Sequence, residues 1–272
     1  MKTEFVWTKT LQLRLFFENY SMNKSKINKL VSLLPKFNRE AIGIELTKNS
    51  SKLIGCSKLG GAPDVSRDFV WPVDDKGFPL SLLLQINCSD IKNLNTDCHF
   101  PKDGHLYFFL DLYDLTYLTE RNAVQVLYSD APTSQLKRTD FPETLSAESR
   151  LLERSINFHN INSLPLDDDL ANMNTGHCYS DYEELESAFS ILDYKSADEA
   201  GFIGTMFGYA VPIQESVIDD FENDILLLQM FSFESADFQL LYGDWGSIYF
   251  TIAKTDLTSK QFSKVKFHMQ CV

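Results

Sequence analysis

Tyr242-Gly243-Asp244-Trp245-Gly246 gathers two aromatic rings and a carboxylate in one tight turn, the first place to look for a ligand. An aspartate flanked by glycines also staples its own backbone, so a purely local role for Asp244 stands beside the binding one. Gln85 and Gln229 each interrupt an apolar run, Leu82-Leu83-Leu84-Gln85-Ile86 and Leu226-Leu227-Leu228-Gln229-Met230. A buried amide must find partners or cost roughly 1–3 kcal/mol. Either the two amides line a cleft between related halves, or each ties its strand to a nearby glycine turn. The local tie is the simpler way to satisfy them. Gln85, Gln229, Asp244 and Trp245 are therefore the cleft candidates.

Other constellations assemble less. Cys98-His99 and His177-Cys178 are adjacent pairs, but neighbours on an extended chain point apart, and no further ligand stands at zinc-site spacing. No metal site is expected. His177, Cys178 and Asp181 supply the residue types of a nucleophilic triad, yet triads are made by the fold rather than by adjacency, and no catalytic residue is assigned. Gly60-Gly61 lacks the G-x-G-x-x-G order and a following helix, so no phosphate cradle and no cofactor is expected. Two acidic stretches remain: Asp167, Asp168 and Asp169, and Asp219, Asp220, Glu222 and Asp224. Solvated surface is their ordinary role. Their sharper role is a docking face for a basic partner.

The elements that must position these groups follow from pattern. Leu11–Leu15 alternates as an edge strand would, and Met22–Leu34 has helical spacing ended by Pro35. Ala41–Leu46 alternates again. Gly60, Gly61 and Pro63 mark a turn, Trp71-Pro72 an extended corner, and Asp74-Asp75-Lys76-Gly77 a second turn. Ser81–Asn87 reads as a strand buried on both faces, followed by strands at Gly104–Leu110, Val124–Tyr128 and Leu151–Phe158. Tyr182–Leu192 reads as a helix with Asp181 as its N-cap.

The pattern then returns. Phe207–Ala210 matches Gly60–Pro63 loosely, Ile225–Met230 matches Ser81–Ile86, Gly246–Phe250 matches Gly104–Phe108, and Val265–Gln270 matches Val124–Tyr128. The expected organisation is an N-terminal helix and strand extension over 1–56, a first half over 57–130, a variable insertion over 131–200 and a second half over 201–272. Together they make one compact α+β domain, sheet-dominated, with duplicated halves related by a pseudo-twofold.

Bulk numbers narrow the function classes. In 272 residues, 44% are apolar and 23% charged, ordinary for a globular chain, and 13% are aromatic, which suits a sheet. A net charge of −13 opposes binding to nucleic acid or an anionic membrane and suits a basic protein, besides favouring solubility. Five cysteines without C-x-x-C spacing point to free thiols in a reducing cytoplasm. Gln12 and Arg14 break the Leu11–Phe17 apolar run and no small-residue cleavage site follows it, so no secretion signal is expected.

SKLGGAPDV at Ser57–Val65, the Trp71-Pro72 corner, LLLQIN, LLLQM, YGDWG and FSKVKF occur in that order. As a set they resemble the YwqG-like proteins, a domain-of-unknown-function family common in bacteria. The resemblance covers residues 57–272 and is thin over 113–200. It implies a mixed α+β fold with related halves and no established activity. Because such genes accompany contact-dependent toxin genes, it also implies an immunity protein. The expected function is thus a cytoplasmic interaction protein that binds and neutralises a toxin, with a basic toxin domain as partner. The alternative is a small-molecule binder or enzyme that uses a cleft between the halves.

Overall fold

The computed structural model describes residues 39–47, 53–94, 99–163, 201–214, 224–234 and 239–271. Fourteen strands lie within them. In chain order the first seven are β1 (Arg39–Leu46), β2 (Lys58–Leu59), β3 (Asp64–Val65), β4 (Ser81–Asn87), β5 (His105–Leu110), β6 (Val124–Ser129) and β7 (Lys137–Arg138). The last seven are β8 (Arg154–Ser163), β9 (Gly204–Phe207), β10 (Asp224–Phe231), β11 (Phe233–Glu234), β12 (Gln239–Leu240), β13 (Gly246–Ala253) and β14 (Lys266–Cys271). Ten of them form one antiparallel sheet in the order β14-β13-β10-β9-β1-β8-β2-β4-β5-β6. The ribbons β3–β7 and β11–β12 stand apart from it.

The sheet curls until its two ends nearly meet. Tyr128 on β6 stacks on Phe262, in the 3-10 turn that leads into β14, at 5.4 Å. Inside, Phe108 of β5 meets Phe250 of β13 edge-on at 5.0 Å, and both rings are fully buried. This barrel-like closure corrects the expected α+β class: the described part of the protein is nearly all β. Only two short α-helices occur there, α1 (Cys88–Ile91) and α2 (Lys254–Thr258). The reason is geometric. A sheet that wraps on itself buries its own inner face, so no helical layer is needed to cover it. The helices expected at 22–34 and 182–192 lie outside the described residues, as does the strand at 11–15. None of the described helices is long and apolar enough to cross a membrane.

The two ends of the sheet share a register pattern. Across the first, Lys58, Gln85, Tyr107 and Leu127 stand side by side on β2, β4, β5 and β6. Across the second, Thr205, Gln229, Tyr249 and His268 do the same on β9, β10, β13 and β14. Both central strands bulge at the same place, between Leu82 and Leu84 and between Leu226 and Leu228. The turn after β2 has positive φ at Gly60 (61°) and Gly61 (72°), and the turn after β9 at Phe207 (61°) and Gly208 (74°). Phe207 thus holds a conformation that glycine adopts freely, kept there by burial against Phe100 at 5.6 Å.

The leading strands are exchanged. β2 takes β8 as its outer neighbour, with Lys58 opposite Ser155, while β9 takes β1, with Thr205 opposite Gly43. β1 and β8 then pair with each other in the middle of the sheet, symmetrically about Glu45 and Asn157. Each half is completed by a strand from the other's side of the chain.

Candidate functional site

The glutamines lie within the wall, completely buried. Asp64 N–H donates to Gln85 Oε1 at 2.8 Å, and Gln85 Nε2 donates to the Cys56 carbonyl at 2.8 Å and to Asp64 Oδ2 at 3.1 Å. In the second half, Val211 N–H donates to Gln229 Oε1 at 2.9 Å and Gln229 Nε2 donates to the Val211 carbonyl at 2.7 Å. A tyrosine completes each clamp: Tyr107 Oη donates to the Asp64 carbonyl at 2.7 Å, and Tyr249 Oη to the Val211 carbonyl at 3.0 Å. Burial pushes both phenols up, Tyr249 to about 12. Each amide therefore ties its strand to the stretch that follows a positive-φ pair, Gly60-Gly61 in the first half and Phe207-Gly208 in the second. Asp244 and Trp245 are exposed on the turn between β12 and β13, so the four cleft candidates occupy three separate places.

Of the acidic candidates, Asp224 opens β10 with its carboxylate 2.9 Å from Lys266 Nζ and nearly buried. Asp167, Asp168, Asp169, Asp219, Asp220 and Glu222 lie outside the described residues.

Two clusters escape a reading of the sequence. The first is a buried ionic network in the first half alone. Lys58 and Asp64 are both fully buried, while Arg138 and Glu153 sit nearer the surface. Lys58 Nζ donates to the Ala62 carbonyl and to Glu153 Oε2 at 2.9 Å, and lies 3.8 Å from Asp64 Oδ2. Arg138 Nε donates to Asp64 Oδ1 at 2.9 Å, and Gly55 N–H to Asp64 Oδ2 at 2.9 Å. Burial pushes the Asp64 carboxyl upward, but Arg138, the Gly55 N–H, Lys58 and Gln85 outweigh it and hold it below the usual range. Both buried charges are met by partners within the protein, Lys58 by the Ala62 carbonyl and Glu153, and Asp64 by Arg138 and the Gly55 N–H, so the network is a latch on the turn. Thr205 and Val211 occupy the matching positions in the second half, without charge. His105 is buried beside it. Its Nε2 donates to the Gly55 carbonyl at 3.0 Å, Nδ1 has no partner, and burial pushes its pKa down.

The second cluster is an open groove of about 430 Å³ between the turn at 74–80, the loop at 111–121 and the loop at 144–149. Carboxylates build its walls. Asp74 Oδ1 accepts from Lys76 N–H at 2.9 Å and Phe78 N–H at 2.8 Å, tightening a turn that holds Phe78 outward, 61% exposed. Asp111 Oδ1 accepts from Tyr113 N–H at 2.9 Å, and Tyr113 is 73% exposed. Arg121 braces that loop from below, donating to Asp111 Oδ2 at 2.7 Å and Asp114 Oδ2 at 3.0 Å. The Thr116 hydroxyl and N–H, with Arg121, keep the Asp114 carboxyl below its usual range. Four carboxylates, Asp74, Asp111, Asp114 and Glu148, thus line the groove against two cations, Lys76 and Arg121. The Asp-x-x-Asp spacing at 111–114 was visible in the sequence, but its union with the Asp74 turn depends on the tertiary fold. Among the described residues no group of three metal-ligating side chains comes together.

Comparison with curated proteins finds no match. The family model of the domain of unknown function DUF1963 matches residues 57–271. Its start at Ser57 leaves out β1, although β1 sits in the middle of the sheet with neighbours on both sides. With all the other strands inside that match, the chain belongs to the DUF1963 family of domains of unknown function.

Proposed function

We propose that this chain is a bacterial, YwqG-like member of its family that works in the cytoplasm as an immunity or inhibitor protein, binding a toxin and blocking it. The observation that carries this is the groove, with Phe78 and Tyr113 at its rim and carboxylates outnumbering cations along its walls. Exposed aromatic anchors within an acidic surround are what a basic protein surface docks against. The net charge of −13 steers such a partner from a distance and opposes nucleic acid and anionic membranes. Asp167, Asp168, Asp169, Asp219, Asp220 and Glu222 add to that field. No catalytic residue, metal or cofactor enters the proposal. A second function, small-molecule binding, is favoured by one observation: the groove's volume falls in the roughly 300–1,000 Å³ range of small-ligand pockets.

The test is affinity capture with the intact chain from its source cell, then association kinetics with the captured protein at two ionic strengths. Association should slow as salt rises. Changing Asp167, Asp168 and Asp169 together to Asn should slow it further at low salt and flatten the salt dependence, with thermal unfolding as the control. Unchanged association at both salts would remove those three residues from the interface. Turnover of a small molecule, with no protein bound, would overturn the inhibitor proposal.

A further inference from the structure

We infer that the groove receives a basic side chain and its apolar neighbour from an exposed segment of the partner protein, an assignment that rests on the interaction-protein reading. Asp74 is 5% exposed, and its Oδ1 is taken by the two N–H groups of its own turn. Its Oδ2 accepts a hydrogen bond from none of the described residues, yet Asp74 lines the groove. That oxygen is open to the groove's solvent rather than sealed in the protein, so an incoming guanidinium or ammonium group can replace its water with a charge-assisted hydrogen bond. Arg121 does not fill that role: it is committed to Asp111 and Asp114, one guanidinium between two carboxylates. Glu148, on the 144–149 loop, adds an acceptor from a second wall.

The rim fixes the second half of the motif. Phe78 and Tyr113 come from different loops and are both mostly exposed. Their rings give an apolar side chain next to the cation something to cover, and they can take a cation on their faces. An anionic ligand would face four carboxylates, and a purely apolar one would leave Asp74 Oδ2 without a donor.

The probe is the blocked tetrapeptide acetyl-Gly-Arg-Trp-Gly-amide, titrated into the intact ¹⁵N-labelled chain. Its amide signals at Lys76, Phe78, Tyr113 and Asp114 should shift saturably. Replacing arginine by the isosteric, uncharged citrulline should weaken binding by about tenfold or more, the loss of one charged hydrogen-bonded contact. Phe78→Ser and Tyr113→Ser, at exposed positions that leave the fold intact, should each weaken it as well. Equal affinity for the citrulline peptide, or shifts confined to other regions, overturns the assignment. Arginine amide binding as tightly as the peptide also overturns it, in favour of a small cation. The two levels separate cleanly. If the captured partner binds Phe78→Ser and Tyr113→Ser as tightly as the native chain, the groove assignment falls and the inhibitor proposal stands. If the peptide behaves as expected but no protein partner exists, the inhibitor proposal falls.

Discussion

Lys58 is the residue whose burial is least expected from its type, and its removal should be among the most damaging. Lys58→Met keeps most of the side chain's volume but removes the fully buried cation, leaving the partly exposed Arg138 as the one cation shared by Asp64 and Glu153. Breaking a buried pair on one side costs about 3–5 kcal/mol, to be read as a lowered denaturation midpoint. Gln85→Leu and Gln229→Leu should each cost about 1–3 kcal/mol, because the backbone N–H of Asp64 or of Val211 loses its acceptor. Acid should act through the same corner. Asp64 is held below the usual carboxylate range and His105 below its usual value, so the unfolded chain binds more protons than the folded one as pH falls. The stability His105 contributes is present above about pH 6.5 and declines below it, and that of Asp64 is present above about pH 3.9 and lost further down. His105→Gln should therefore flatten the upper part of the acid-unfolding curve followed by circular dichroism; an unchanged curve would sink that assignment. Little of this corner was readable beforehand. Lys58 sits two residues before a glycine pair, where a lysine is ordinarily solvated, and only the pairing of β2 on both sides explains its burial.

At the scale of elements, the strands were the readable part. Alternation at 41–46 and the apolar runs at 81–87 and 225–230 lie where β1, β4 and β10 form, because the side chains that report burial also set strand register. Strand β8 runs to Ser163, several residues beyond the expected segment, since its polar outward positions (Asn157, His159, Asn160, Asn162) mimic a loop. The groove was unreadable for a different reason: its three walls come from loops whose sequences are ordinary turns. The glycine turns give the sharpest test of the correspondence between halves. A Cβ on Gly61 would come within 2.5 Å of Glu153, and one on Gly208 within 2.6 Å of Ser163. Both positions also have positive φ, so Gly61→Ala and Gly208→Ala should each destabilise by more than about 1 kcal/mol. Matched losses in calorimetry would mark the turns as equivalent; a neutral Gly208→Ala would break the equivalence.

For the whole molecule, the expected α+β class gave way because the described sheet curls on itself and buries its own inner face, with only two short helices beside it. Closure also sets chemical accessibility. Cys88 is buried at the foot of β4, and burial pushes its thiol up to about 12, so it should be inert in the native state. Cys56 and Cys271 are partly exposed. A thiol reagent should therefore label Cys88 only as fast as the sheet opens, with all five cysteines reactive after denaturation without prior reduction. Fast labelling of Cys88 in native protein would contradict the closed sheet.

The exchanged leading strands bear on how such a chain emerges from the ribosome. β1 is made early, but both of its neighbours, β8 and β9, are made late, and β2 must also wait for β8. At roughly 5–20 residues per second, β1 spends on the order of 5–20 s with two open edges. An apolar strand in that condition is a template for wrong pairing. The nascent chain thus depends on company, from the ribosome surface or a chaperone, until residue 207 is clear. Stalled nascent chains that end before residue 150 should be digested by protease throughout, and those extended past the end of β9 should protect β1 abruptly. Translation order and strand order disagree in this protein, and its yield in cells should fall when elongation is slowed between β1 and β8.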